Sequence, residues 1–337
     1  MKAAIFTTTL LTAVGATATV PCTGTTTLRE EAAKKNILFG SGMINPHWLN
    51  ETMFAAVLAE QFNSLSPENE LKWSFIHPTK DTYNWESIDR LVSFAEQHNM
   101  AMKGHGFISN CCTPDYLLNI TDPSAFRAEM AAHFKAVLER YAGKIDRWDV
   151  VAEALKTNGG GLQTNNDFYK VLGPSYIEDA FRMARAASPD AKLLLNENLV
   201  ESNPAKRQEL YDLVSGLVAN GVPIDGVALQ MHITEVLPEA GVITDMVNSY
   251  KALGLEVTIA EMDVHTLDST KQAVIYGAVI DEALHAGITD IHFWGFTDGH
   301  NYTWVPHAGP LMFDKQYHAK PAFYATHDAL AKFVNEP

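Results

Sequence analysis

The chain has 337 residues, 47% of them hydrophobic and 19% charged, a globular composition with room for one α/β barrel or two ordinary domains. Forty acidic residues against 25 basic ones give a net charge of −15, which opposes phosphate backbones and anionic bilayers, so no nucleic-acid partner is expected. Beyond the N-terminus no segment has the roughly 18 unbroken apolar residues of a membrane span, so no membrane partner is expected either.

Residues 1–18 read as a secretory signal. Lys2 supplies the positive charge, 3–16 is apolar or small, and Ala16-Thr17-Ala18 has the small-x-small form of a cleavage site. A segment 19–36 then leads into one domain, 37–337, expected to be secreted and extracellular. In an oxidising compartment either Cys22 pairs with one of Cys111 and Cys112, or those two pair with each other, and the sequence leaves both open. Asn50, Asn119 and Asn301 head Asn-x-Thr triplets that could accept N-glycans there.

From residue 37 onward, apolar strand-like runs alternate with helical patterns. The runs are 37–43, 62–66, 101–107, 147–152, 192–196, 226–231, 256–262 and 290–296. Most are near-continuous apolar stretches, as strands covered on both faces require. Helix-compatible stretches at 85–99, 123–141, 176–187, 204–220, 242–253 and 270–286 separate them, with Asp122-Pro123 and Asn203-Pro204 as start signals. Eight strand-then-helix units predict a single (β/α)8 TIM barrel. The competing doubly wound sheet usually carries a Gly-rich phosphate loop, and Phe39-Gly40-Ser41-Gly42-Met43 lacks its third glycine.

Chemistry in such a barrel sits at the C-terminal strand ends, and the polar residues gather there. Glu68, Asn69 and Lys72 follow the second run, His105 and Asn110 the third, and Glu153 the fourth. Asn196, Glu197 and Asn198 end the fifth, Gln230 and His232 the sixth, Glu261 and Asp263 the seventh, and Trp294 and Trp304 fall in and after the eighth. Glu153 and Glu261 carry most of the functional reading. Two carboxyl groups facing one another are what glycoside hydrolysis needs, one to protonate the leaving oxygen and one to attack or stabilise the sugar cation. A lone strand-end glutamate would more readily be a structural ion pair. No His-x-x-x-His pair marks a metal site, and neither metal nor cofactor is expected.

On these motifs the chain resembles glycoside hydrolase family 10, the retaining endo-β-1,4-xylanase family, from about residue 37 to 333. The strongest pieces are Phe62-Asn63-Ser64-Leu65-Ser66-Pro67-Glu68-Asn69-Glu70-Leu71-Lys72-Trp73 and Trp148-Asp149-Val150-Val151-Ala152-Glu153, and beside them stand Ile224-Asp225-Gly226-Val227-Ala228-Leu229-Gln230-Met231-His232, Glu261-Met262-Asp263 and Phe293-Trp294-Gly295. The resemblance implies that Glu153 is the acid/base and Glu261 the nucleophile, with His232 supporting Glu261 and Asp263 orienting His232. It implies substrate contacts from Glu68, Asn69, Lys72, His105, Asn110, Asn196 and Gln230, and sugar stacking on Trp294 and Trp304. The expected partner is a glycoside or polysaccharide, handled by a monomer.

The chain also departs from the family. Ser109, Asn110 and Cys112 stand where the family run has Trp, His and Gln, and Ala152 replaces the Asn before the acid/base. These changes remove bulk and polar grip near the sugar, which would admit a hexose. They point to the tomatinase branch, which cuts the tetrasaccharide from the glycoalkaloid α-tomatine; Phe296, Tyr302, Val305 and Pro306 could face an apolar leaving group. A Cys111–Cys112 disulfide would shape the same wall. The alternatives are an endo-1,4-β-xylanase that tolerates the substitutions and a non-catalytic carbohydrate-binding or inhibitor protein on the same barrel.

Overall fold

The computed structural model describes residues 23–337, so the signal-like segment and Cys22 lie outside the described residues. The apolar runs form eight parallel strands: β1 Leu38–Ile44, β2 Ser64–Pro67, β3 Ala101–Ile108, β4 Arg147–Ala152, β5 Lys192–Glu197, β6 Gly226–Leu229, β7 Glu256–Val264 and β8 Asp290–Phe293. Each pairs with the next, and β1 returns to β8 with Leu38 opposite Asp290 and Ser41 opposite Phe293. The sheet therefore closes into the predicted (β/α)8 barrel. The sixth run breaks after Leu229. Met231 takes a left-handed conformation (φ 63°), and pairing resumes for His232–Ile233 beside Asp263 and Val264.

The helices begin where the capping chemistry predicts. Asp122 accepts from the Ala125 amide ahead of Pro123–Arg140, and Asn203 from the Lys206 amide ahead of Pro204–Ala219. Ser269–Ala286 starts at Asp268 and stops at Gly287, whose left-handed φ of 90° suits glycine. Helices at Leu28–Ala33, Thr52–Gln61 and Pro321–Asn335 are additions to the sequence reading. The last packs along Ser269–Ala286 and buries Ala322, Phe323, Ala329 and Leu330. Among the described residues no helix is long and apolar enough to cross a membrane.

Outward-facing strand residues fill the layer between barrel and helices. Trp148 is fully buried against Phe107, and Gly104 lies where any Cβ would overlap the Trp148 ring. The barrel interior is instead largely polar. Arg147 on β4 reaches Asp290 on β8 at 3.0 Å, a bridge between opposite strands that must cross the interior. Lys103 meets Asp149 at 2.9 Å, both buried. Buried charges persist only when paired, and these pairs form a column under the C-terminal mouth.

Candidate active site

That mouth holds a cavity of about 630 Å³. Of the residues expected there, Glu153, Glu261, His232, Lys72, His105, Asn110, Gln230, Trp294 and Trp304 line it. Asn196 and Asp263 are buried one layer behind. Glu68 and Asn69 stand beside the lining: Asn45 Nδ2 donates to Glu68 Oε2 at 3.2 Å, and Lys72 Nζ to Asn69 Oδ1 at 3.0 Å.

Two amide side chains, Gln230 just after β6 and Asn196 on β5, join the two glutamates. Gln230 Nε2 donates to Glu153 Oε1 at 3.2 Å and to Asn196 Oδ1 at 2.8 Å, and Asn196 Nδ2 donates to Glu261 Oε1 at 2.8 Å. Asn196 Nδ2 also donates to Asp149 Oδ2 at 3.1 Å. Asn196 is engaged through both its oxygen and its nitrogen, and Gln230 through its nitrogen twice, which fixes the carboxyl groups they touch.

Glu261 lies in a cationic nest. Burial alone would raise its carboxyl, but the charge of His105, the hydrogen bond and charge of His232, and the charge of Lys103 outweigh it and hold the group at about 2. His232 Nε2 lies 3.3 Å from Glu261 Oε2, while Nδ1 lies 2.8 Å from Asp263 Oδ1. For His232 too, burial works against the charged ring. Asp263 and Glu261 prevail and lift it well above the ordinary histidine range. A carboxylate so held stays ionised and unprotonated, the state in which it can attack a carbon.

Glu153 has a different setting. It is half-buried, and its backbone is left-handed (φ 58°), a strained turn for a residue with a side chain that swings it off the end of β4. Asn110 Nδ2 donates to Glu153 O at 3.1 Å and approaches Oε2 at 3.4 Å. Asn166 holds Asn110 in turn, donating to Asn110 Oδ1 and Ser109 O, both at 3.2 Å. Cys111 and Cys112 are joined to each other, and Cys111 lines the cavity.

The sequence reading missed several members. His265 Nε2 shares Asp263 Oδ1 with His232 at 2.8 Å, Thr303 caps its other nitrogen at 2.9 Å, and Trp304 stacks on its ring with centroids 3.6 Å apart. Two groupings have metal-ligand chemistry, His232–Asp263–His265 and His105–Asp149–Glu261. In both, members already hydrogen-bond one another. Two expectations fail. Glu197 leaves the pocket and pairs with the fully buried Lys206 at 2.7 Å, also accepting from the Leu155 amide. Phe296 is buried against Phe54 and Phe62 and offers no surface to a leaving group.

Comparison with known proteins agrees with this geometry. The sequence model of glycosyl hydrolase family 10 matches residues 27–329. Endo-1,4-beta-xylanase B of Thermotoga neapolitana is 32% identical over 92% of this chain and 93% of its own length. Endo-1,4-beta-xylanase A of Thermoanaerobacterium saccharolyticum is 34% identical over 85% of this chain, which spans only 26% of that longer protein. The crystal structure of xylanase 10B from Thermotoga petrophila RKU-1, in complex with xylobiose, superposes with a TM-score of 0.86 at 35% identity, covering 92% of this chain and 98% of that one.

Proposed function

The chain belongs to glycosyl hydrolase family 10, and on that premise we propose that it cleaves β-1,4-linked xylose chains internally with retention of configuration. Family membership makes it a hydrolase of O-glycosyl bonds and sets aside the non-catalytic reading. The observation that carries the mechanism is the Glu153–Gln230–Asn196–Glu261 relay, which ties an accessible carboxyl to one held ionised. Glu153 gives its proton to the glycosidic oxygen as that bond breaks, while a Glu261 oxygen adds to the anomeric carbon. Glu153 then takes a proton from water, whose oxygen attacks the same carbon and releases Glu261. His232 supports the nucleophile and Asp263 orients His232. Lys72, with Asn69 and Glu68 beside it, grips the non-leaving sugars together with His105, and Trp294 and Trp304 stack on the rings.

Xylan is favoured by the names of the relatives and by the xylobiose in the Thermotoga petrophila structure. Incubation with xylan, with Glu261→Ala as control, is expected to release xylo-oligosaccharides from the wild type only. A folded wild type that leaves xylan intact would overturn the assignment.

A second reading, a tomatinase-like glycosidase acting on α-tomatine, is favoured by the rim. Tyr302 (65% exposed) and Trp304 (46%) line the mouth, and Val236 (73%) and Leu267 (68%) are exposed on neighbouring loops. Trp304 donates to Thr234, and Thr266 to Glu235, which tethers the three loops together. Release of tetrasaccharide and tomatidine, with little xylan cleavage, would establish it over the first. Residues 1–18 and the Cys111–Cys112 pair support export, which N-terminal sequencing of protein recovered from culture medium tests. All relay members come from one chain, so a monomer suffices, and its elution volume in gel filtration checks this.

A further inference from the structure

Within the pocket wall, we propose that the Cys111–Cys112 disulfide is a positioning unit for proton transfer, acting through Asn110 on Glu153. The inference rests on the acid/base assignment of Glu153. Bonding two adjacent cysteines closes a small ring through both side chains and the peptide between them, which removes most of the backbone freedom at that point. Here the ring follows directly on Asn110, the residue that donates to Glu153 O at 3.1 Å and approaches its Oε2 at 3.4 Å.

The carbonyls of both cysteines are anchored. Ser109 Oγ donates to Cys111 O at 3.1 Å, and the Ser74 amide donates to Cys112 O at 2.8 Å. Ser74 lies two residues beyond Lys72, so the ring couples the loop after β3 to the segment that presents Lys72. Cys112 has φ 67°, a left-handed conformation that a residue with a side chain holds only under constraint. Without the covalent link, a short amide side chain in an exposed loop would have only Asn166 to steer it. Asn110 is exposed, and so is Cys111, which places the bond within reach of a dissolved reductant. A dithiol would open it by thiol–disulfide exchange: two electrons and two protons pass to the two sulfurs, and the reductant leaves as its own disulfide.

A positioning role through the acid is separable from a merely structural one by leaving-group chemistry. Phenyl glycosides need protonation of the departing oxygen, whereas dinitrophenyl glycosides leave as stable anions without it. The test measures kcat/KM, which covers steps up to aglycone departure, on both aryl glycosides of whichever sugar the wild type releases. Glu153→Ala sets the scale, by lowering the phenyl value and sparing the dinitrophenyl one. C111A/C112A, and Asn110→Ala separately, are expected to lower the phenyl value roughly tenfold, the kinetic equivalent of one hydrogen bond to a charged group. The dinitrophenyl value of C111A/C112A should stay within about twofold. Wild type treated with dithiothreitol should show the same selective loss and regain activity on reoxidation, which covers the case of a variant that does not fold.

Equal losses on both substrates, or no loss on either, would overturn the proposal, as would alkylation of both cysteines in unreduced protein. If Glu153→Ala itself fails to separate the substrates, the acid/base assignment falls and the positioning role with it.

Discussion

His232→Gln tests the electrostatic account of the nucleophile most directly. Glutamine keeps an N–H donor within reach of Glu261 but removes the positive charge. Burial favours protonation of Glu261, yet the surrounding cations hold the carboxyl at about 2, against 4.5 for an ordinary glutamate. That gap corresponds to about 3 kcal/mol between the two protonation states. His232 acts on it twice, by hydrogen bond and by charge, while His105 and Lys103 remain in the variant. The carboxyl is therefore expected to rise by about one pH unit, or about 1.4 kcal/mol against the ionised form.

The sign follows from the role proposed for Glu261. A nucleophile works ionised, so activity is present above its pKa and lost as pH falls through it. The acidic limb of kcat/KM should accordingly begin about one pH unit higher in His232→Gln than in the wild type. Initial rates across the acidic range at constant ionic strength, with circular dichroism to verify folding, give the limb directly. A pH-independent loss would lower the curve without moving the limb. Coincident acidic limbs would refute the claim that His232 helps keep Glu261 ionised.

Asn196→Ala leaves Gln230, Asp149 and Glu261 each short of a partner in a buried site. Its expected cost is roughly 1–3 kcal/mol of stability plus a fall in kcat, measured by urea unfolding and steady-state kinetics. Lys206→Met strands the fully buried Glu197 and should cost about 3–5 kcal/mol by the same unfolding assay. The double change Glu197→Leu with Lys206→Met should recover most of that loss, and failure to do so would mean the site needs the charges themselves. Ala152→Asn adds a polar group at the pocket wall opposite Gly106, where a Cβ would meet Ala152 Cβ only at 3.8 Å. It should raise kcat/KM on xylan by about tenfold, and an unchanged value would mean that Ala152 is no loss of grip.

What the sequence reveals and what it hides divide along physical lines. Strands buried on both faces write themselves as apolar runs, and a polar residue closing such a run stands out, so Glu153 and Glu261 are visible locally. Which way a strand-end residue points is harder. Asn196 and Glu197 are neighbours on β5, and the alternation of a strand sends them to opposite faces, one to the relay and one to Lys206. Both look like site residues in the sequence, and the period of two lets only one face the pocket. Asp149, Lys103, His265 and Asn166 escaped the sequence reading because their partners lie on other strands and loops, at separations that no local pattern records. Cysteine pairing was undecidable for the same reason.

The placement of the departures from the family pattern also has a physical cause. Within the relay Asn196 and Glu261 are buried and hydrogen-bonded to one another, so changing either leaves the other unsatisfied at a cost of roughly 1–3 kcal/mol. Ser109, Asn110 and Cys111 lie where water reaches, and loss of a contact there is repaired by solvent. In folding stability, substitution is therefore cheap on the wall and expensive in the relay. Ala152 is the exception, since it is buried at 3% exposure beside the acid/base candidate. Its methyl group brings no unmatched polar atom into the wall, so the replacement is tolerated without repair by the surrounding protein. The buried relay constrains the kind of bond broken, whereas the wall and rim, apart from the Asn110 contact to Glu153, are free to change the sugar and the leaving group.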